Sequence, residues 1–432
     1  MKKILFPLLI MLSLIAGSCK DKFTIEYTAL EPVYMSYESL RSAVANDAAV
    51  PLKEPGKIYF KDNYIFVNEV MKGIHVFDNS DPANPVEVTF IDIPGNIDMA
   101  IRNQTLYADS YIDLVAIDLS DLQNVKEVAR LQGAFPYTVP PYEQGIRLAP
   151  VDQTKGVVVS WEKKIIHEDI PESSTYYPVH PWYDSSKGDL INLYSGGISS
   201  GSATGGATFG VAGSLARFGL YNDKLYALSD YSLKRFDISD ETKIQDWGSY
   251  WVSGNETVSI YNDLLFIGGN SSVSIYQLNA SGDLTEMGQF QHITSCDPVV
   301  IQGNYAYYTL RGGTICGSTV NELDVLDVSD ITQPILVSTM PLTEPYGLGI
   351  DGDILFVCDG SEGLKIYDVA DKTFISSHQI GHFEDIQARD AIPVNGYLFV
   401  IGDDGFSQYD YSDPANIERI SFIPVQSENT IY

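Results

Sequence analysis

The chain has 432 residues, 44% of them hydrophobic, with 27 basic against 57 acidic side chains and a formal net charge of −30. A charge of that sign and size repels phosphate backbones and anionic membrane surfaces, which argues against nucleic-acid binding. Length alone suggests two or three domains, but an internal repeat overrides that count.

The chain opens on Met1-Lys-Lys, an apolar run over residues 4–16, and then Gly17-Ser18-Cys19. A basic start, a short apolar core and small residues before a cleavage point make a signal peptide, placed at 1–18. The core is too short to span a bilayer comfortably. The cysteine after Ala16-Gly-Ser resembles a bacterial lipobox, although alanine stands where leucine is usual. Lipidation of Cys19 is therefore expected, with residues 19–44 as tether and lead-in. More than one acyl chain gives stable anchoring. A short helical segment is predicted at 37–42, and helical signals are otherwise almost absent.

From residue 45 the chain rewrites one sentence. It reads Gly73-Ile-His-Val-Phe-Asp-Asn-Ser-Asp-Pro82, then Leu114-Val-Ala-Ile-Asp-Leu-Ser-Asp121, Leu233-Lys-Arg-Phe-Asp-Ile-Ser-Asp240, Leu323-Asp-Val-Leu-Asp-Val-Ser-Asp330, Leu364-Lys-Ile-Tyr-Asp-Val-Ala-Asp371 and Phe406-Ser-Gln-Tyr-Asp-Tyr-Ser-Asp-Pro414. Each copy follows two β-branched or aromatic runs joined by a tight turn. The turns are Asp62-Asn63, Arg102-Asn103, Asn222-Asp223, Asn262-Asp263, Gly303-Asn304, Asp351-Gly352 and Asn395-Gly396. These residue types tolerate the positive φ of two-residue hairpins. An eighth hairpin is predicted from Gly145-Ile-Arg-Leu and Gly156-Val-Val-Val-Ser-Trp161. The spacing of about 40 to 50 residues is that of a four-stranded propeller blade. The reading is an all-β, eight-bladed β-propeller of four-stranded antiparallel blades over residues 45–432, with seven blades as the alternative.

The repeated Asp78, Asp118, Asp237, Asp327, Asp368 and Asp410 stand where a strand meets a turn. There a carboxylate accepts a backbone N–H two residues on. That role is expected rather than calcium ligation, which gathers several carboxylates in one short loop.

The Val-Phe-Asp-Asn-Ser-Asp-Pro and Val-Leu-Asp-Val-Ser-Asp strands and the Gly303-Asn-Tyr-Ala-Tyr307 hairpin resemble the LVIVD-repeat lipoproteins of Bacteroidota-type bacteria. The resemblance covers roughly residues 45–425. It implies a β-propeller fold and assigns no activity. Lys20-Asp21-Lys22 partly resembles the charged signal that sends some lipoproteins of those bacteria to the cell surface. The expected location is the envelope, at the outer membrane, with the periplasmic and surface faces both open.

Propeller geometry puts the ends of second strands and the starts of first strands on one mouth face. The candidate binding residues there are Asp109, Trp161, Glu162, Asp230, Asp297, Arg311, Tyr346, Asp359, Arg389, Asp390 and Asp403. Carboxylates interleaved with arginines and aromatics suit a polar ligand, a sugar or a cation. An irregular insertion is expected at about 163–213. Its Tyr176, Tyr177, His180, Trp182 and Tyr183 form a candidate contact loop, since long loops are usually functional or disordered. Cys296 and Cys316 flank one hairpin, and a disulfide between them suits an oxidising compartment. Closing so short a loop contributes on the order of 3 kcal/mol. Cys358 reads as a buried thiol.

Catalytic signals are thin. Gly197-Ile-Ser-Ser-Gly201 matches a nucleophile elbow by letter but lies in low-complexity sequence. There is no His-Glu-x-x-His, phosphate loop or dinucleotide fingerprint, so no catalytic residue, metal ligand or cofactor is assigned. The expected function is a monomeric, lipid-anchored binding or interaction module of the envelope, its partner an envelope protein or a polar or carbohydrate ligand, touching membrane only through its anchor. A propeller hydrolase or lyase acting through mouth carboxylates and a purely structural envelope component are the competing readings.

Overall fold

The computed structural model describes residues 22–143, 145–171, 211–229, 231–252, 255–269, 271–292, 298–312 and 319–426. The chain divides into two compact units, one of residues 1–37 and 137–193, the other of residues 38–136 and 194–432. Among the described residues eight sheets form, the number that the repeats predict.

Seven of the eight lie in the second unit as antiparallel blades, each built on four strands wound in chain order; six sheets are four-stranded and that of blade 1 is six-stranded. They comprise residues 55–92 (blade 1), 99–131 (blade 2), 218–251 (blade 3), 255–291 (blade 4), 299–341 (blade 5), 348–383 (blade 6) and 388–424 (blade 7). The first strands of successive blades are neighbours, and blade 7 returns to blade 1, so these seven close a ring by themselves. Closure protects sheet edges that an open array would expose. The junction is aromatic. Phe60 stacks on Phe399 at 4.9 Å and Phe77 on Phe406 at 6.5 Å. Blade 1 carries a short extra strand on each edge, Ala45–Asp47 outside and Val211–Ala212 inside.

All seven predicted tight turns form, each holding a residue at φ between 51° and 62°: Asp62, Asn103, Asn222, Asn262, Gly303, Gly352 and Asn395. The helical segment is one turn, Tyr37–Leu40.

The repeated aspartates are turn formers. Asp78, Asp118, Asp237, Asp327, Asp368 and Asp410 each accept the backbone N–H two residues on at 2.8 to 2.9 Å. The second acid of the repeat does the same for the next turn, as Asp121 does for Gln123 N and Asp330 for Thr332 N. Replacing Asp118 by alanine should cost about 1 kcal/mol in urea unfolding, and by asparagine less, because the amide oxygen keeps the acceptor.

The eighth sheet belongs to the first unit and departs from the hairpin prediction. Residues 145–150 and 156–161 do not pair with each other. A long strand, Lys22–Met35, lies between them, antiparallel to Val157–Pro171 and parallel to Arg147–Leu148. Residues 163–171, expected to open an irregular insertion, therefore continue a regular strand.

Candidate functional site

Each blade's first hairpin brings the end of its second strand beside the start of its first. Three of the carboxylates read as mouth ligands, Asp109, Asp359 and Asp390, clamp backbone instead. Asp109 accepts Ile97 N, Asp98 N and the Asn96 amide at 2.8 to 2.9 Å. Asp359 accepts Glu344 N at 2.7 Å, Thr343 N at 3.0 Å and the Lys365 ammonium at 2.6 Å. Asp404 takes Gln387 N in blade 7. Glu69, which the sequence reading missed although it follows Asn68 at the end of a second strand, takes Lys53 N and Glu54 N in blade 1. Burial works against a charge on Glu69, but hydrogen bonds with His75 and the two amides outweigh it and hold the carboxyl down to about 2. Asp109 goes the other way. Burial dominates its amide contacts and pushes it up to about 6.

Asp390 is buried on the first strand of blade 7. Its Oδ1 accepts Ser214 N at 2.7 Å, Ser214 Oγ at 2.5 Å and Ala391 N at 2.9 Å, and its Oδ2 accepts Leu215 N at 3.2 Å. Ser214 Oγ in turn accepts Leu348 N of blade 6. The segment 211–217 also pairs with the first strand of blade 1, takes Val258 N of blade 4 on Ala216 O, and donates Arg217 N to Asp98 ahead of blade 2. A segment touching blades 1, 2, 4, 6 and 7 crosses the central channel. Ser214, Leu215 and Ala216 are buried in it. The fit is close: a Cβ on Gly213 would lie 2.0 Å from Asp390 Oδ2, and one on Gly347 2.3 Å from Ser214 Oγ. Burial pushes Asp390 up to about 7 against its four hydrogen bonds. Beside it Cys358 is a buried free thiol, as read, raised by burial and then by Asp390 and Asp359.

The remaining mouth residues make a different structure. Tyr346, ahead of blade 6, has the Arg311 guanidinium of blade 5 at 4.1 Å from its ring centroid and the Arg389 guanidinium of blade 7 at 4.0 Å. The two cations come from the blades on either side, and both lie against the ring. Arg389 also grips Asp403 bidentately at 2.8 and 2.6 Å, and the Tyr346 hydroxyl donates to Glu344 at 2.8 Å. Three consecutive blades thus contribute to one ordered, partly exposed surface. Arginine favours it because a planar guanidinium stacks and forks at once.

Other predicted residues lie elsewhere. Trp161 and Glu162 belong to none of the seven blades. They sit on the strand Val157–Pro171 of the first unit, where Trp161 Nε1 donates to Pro140 O and its ring meets Tyr142 edge-on. Asp230 and Asp297, the lipidation residue Cys19, the cysteines Cys296 and Cys316, and the contact-loop residues Tyr176, Tyr177, His180, Trp182 and Tyr183 lie outside the described residues. Among the described residues no group of three or more His, Cys, Asp or Glu side chains is placed to hold a metal ion, and no helix is long and apolar enough to cross a membrane.

A family profile described as LVIVD repeat matches residues 56–92 and 295–340, which lie over blade 1 and most of blade 5. A search of the curated proteins matches nothing. Similar solved structures include the computationally designed Ika8 protein, with a TM-score of 0.49 and 8% identity over 88% of this chain and 91% of that one. Hsv2 of Kluyveromyces lactis gives 0.48 and 9% over 86% and 100%. BamB from Moraxella catarrhalis gives 0.44 and 10% over 89% and 92%. The chain thus carries two spans that match the LVIVD repeat, set in a ring of antiparallel blades that forms a β-propeller.

Proposed function

We propose that the protein is an exported, lipid-anchored binding module of the cell envelope whose working face is the mouth surface around Tyr346. The observation that carries this reading is the division of labour among the mouth side chains. The carboxylates of Asp109, Asp359 and Asp390 are engaged by backbone amides, and segment 211–217 is bound to five of the blades. Among the described mouth residues, the stacked, partly exposed set of Arg311, Tyr346 and Arg389 is available to a ligand. An ordered polar and aromatic surface on a rigid scaffold suits recognition. The basic, then apolar start and the lipobox-like residues before Cys19 support the envelope part of the reading.

Two experiments test the proposal. Globomycin should block maturation of the precursor; unaffected processing would exclude lipidation of Cys19. In pull-downs from envelope extract, Tyr346→Ala with Arg389→Ala should lose partners that the Asp118→Ala control retains. Partners unchanged by the mouth substitutions would remove this face from the function.

A further inference from the structure

We infer that His75 is a proton-operated latch on the ring closure. As an imidazolium bonded to two carboxylates it holds the lead-in of blade 1 against the end of blade 7, and losing its proton loosens that junction. His75 lies on the third strand of blade 1 and is wholly buried. Its Nε2 is 3.2 Å from Glu69 Oε2 of the second strand, and its Nδ1 is 2.8 Å from Glu87 Oε1 of the fourth. A neutral imidazole has one N–H and one lone pair, so between two ionised carboxylates one of its nitrogens would face an oxygen without a proton. The imidazolium donates to both. Its ring neighbours are Phe77 on the same strand, at 6.1 Å, and Phe90 on the fourth, at 4.9 Å. Blade 7 meets this face with Phe406, stacked on Phe77. The other charged groups stand behind Glu69, where Lys72 is 3.3 Å from Glu69 Oε1 and 3.5 Å from Glu54 Oε2.

The proton's influence passes through Glu69 to the place where the ring closes. Glu69 accepts Lys53 N at 3.0 Å and Glu54 N at 2.9 Å. Next to them Leu52 is buried in one cluster with Phe77, Phe399 and Phe406. The Leu52 carbonyl accepts Gln426 N, at 2.7 Å, from the chain leaving blade 7. The lead-in is thus held on one side by a carboxylate that His75 orients and on the other by the end of the last blade. Burial opposes the charge on His75, but hydrogen bonds and attraction from Glu69 and Glu87 outweigh it and raise its pKa above the ordinary histidine value. Glu69 stays ionised, held down to about 2. A histidine whose pKa is raised by folding contributes stability that is complete below about 6.5 and is lost as pH rises through the folded value. The latch is therefore closed in mild acid and opens on the alkaline side.

The test is hydrogen exchange on the purified full chain at about pH 6 and about pH 9, corrected for the intrinsic pH dependence of exchange. Burial also brings Asp109 and Asp390 toward neutrality, so the junction itself is read rather than overall stability. Protection at the amides of Lys53, Glu54 and Gln426 should fall about tenfold or more between the two conditions, while the blade 4 hairpin over 258–267 keeps its protection. Glu87→Gln supplies an N–H that the Nδ1 lone pair can accept, so a neutral ring then satisfies both partners. That variant should keep the junction protected at both pH values. His75→Gln should protect it no better at the lower pH than the wild type does at the higher. Equal wild-type protection at both pH values would overturn the latch, as would an undiminished fall in Glu87→Gln. Those two arms decide the matter even where His75→Gln does not fold. No ligand enters the measurement, so its outcome is separate from that of the mouth surface around Tyr346.

Discussion

Replacing Lys57 by methionine should lower the unfolding free energy by about 3 to 5 kcal/mol, one of the two largest single-residue effects expected in the ring. Lys57 and Asp98 form a buried ion pair at 2.5 Å, with both side chains almost wholly withdrawn from water. Asp98 also takes Arg217 N and Met99 N, so it ties blade 1 to the start of blade 2 and to the segment crossing the channel. Burial lowers the Lys57 pKa, and the attraction of Asp98 only partly offsets it. Removing the ammonium leaves a desolvated carboxylate with amides alone, and the cost is that of an uncompensated buried charge. Lys57→Met with Asp98→Asn should therefore recover part of the loss. Urea unfolding of the two single variants and the double variant gives the coupling directly. A double variant less stable than the sum of the singles would contradict the pairing.

The second large effect concerns Asp390. Alanine there strips an acceptor from Ser214 N, Ser214 Oγ, Leu215 N and Ala391 N. At about 1 to 3 kcal/mol for each buried group left unpaired, partly relieved by relaxation, the expected loss is about 3 kcal/mol or more. Asparagine keeps one oxygen and most of the contacts, so it should cost less. The two variants also differ from wild type in pH dependence. Burial raises Asp390 from 3.8 to about 7 in the folded chain. The folded state therefore holds this proton more tightly than the unfolded state, and the carboxyl's contribution falls as pH rises from about 4 to about 7. Unfolding measured across that window should show a slope in the wild type that is reduced in Asp390→Asn. Hydrogen exchange should show the amides of Ser214 and Leu215 losing protection first in Asp390→Ala, because those are the two amides of the segment that the carboxylate holds.

How much of this was legible depends on how local the cause is. The turns at Asp62, Asn103, Asn222, Asn262, Gly303, Gly352 and Asn395 could be read because a left-handed residue declares itself by type. The Asp118 and Asp410 turns could be read because donor and acceptor are two residues apart. The hairpin predicted over 145–161 failed for the complementary reason. Both of its runs are good strands, but their partner is Lys22–Met35, more than a hundred residues earlier, and no turn chemistry announces a pairing of that range. Spacing placed Asp109, Asp359 and Asp390 near the mouth, but whether each faced solvent or backbone depended on amides brought in by neighbouring loops. Segment 211–217 was hidden because its role comes from where it crosses, and its short, small side chains look like linker. Arg311, Tyr346 and Arg389 were each singled out from the sequence. Their stacking was not, since it joins three blades whose relative positions only the closed ring sets.

Hydroxyl-radical footprinting of the protein with and without envelope extract tests the mouth-binding account most directly. The ring offers two contrasting aromatic probes, Tyr346 between its arginines and Trp251, 76% exposed on the outer strand of blade 3. The account predicts that bound ligand reduces labelling at Tyr346 and leaves Trp251 unchanged. Protection of Trp251 with no change at Tyr346 would place the contact surface on the rim and contradict it.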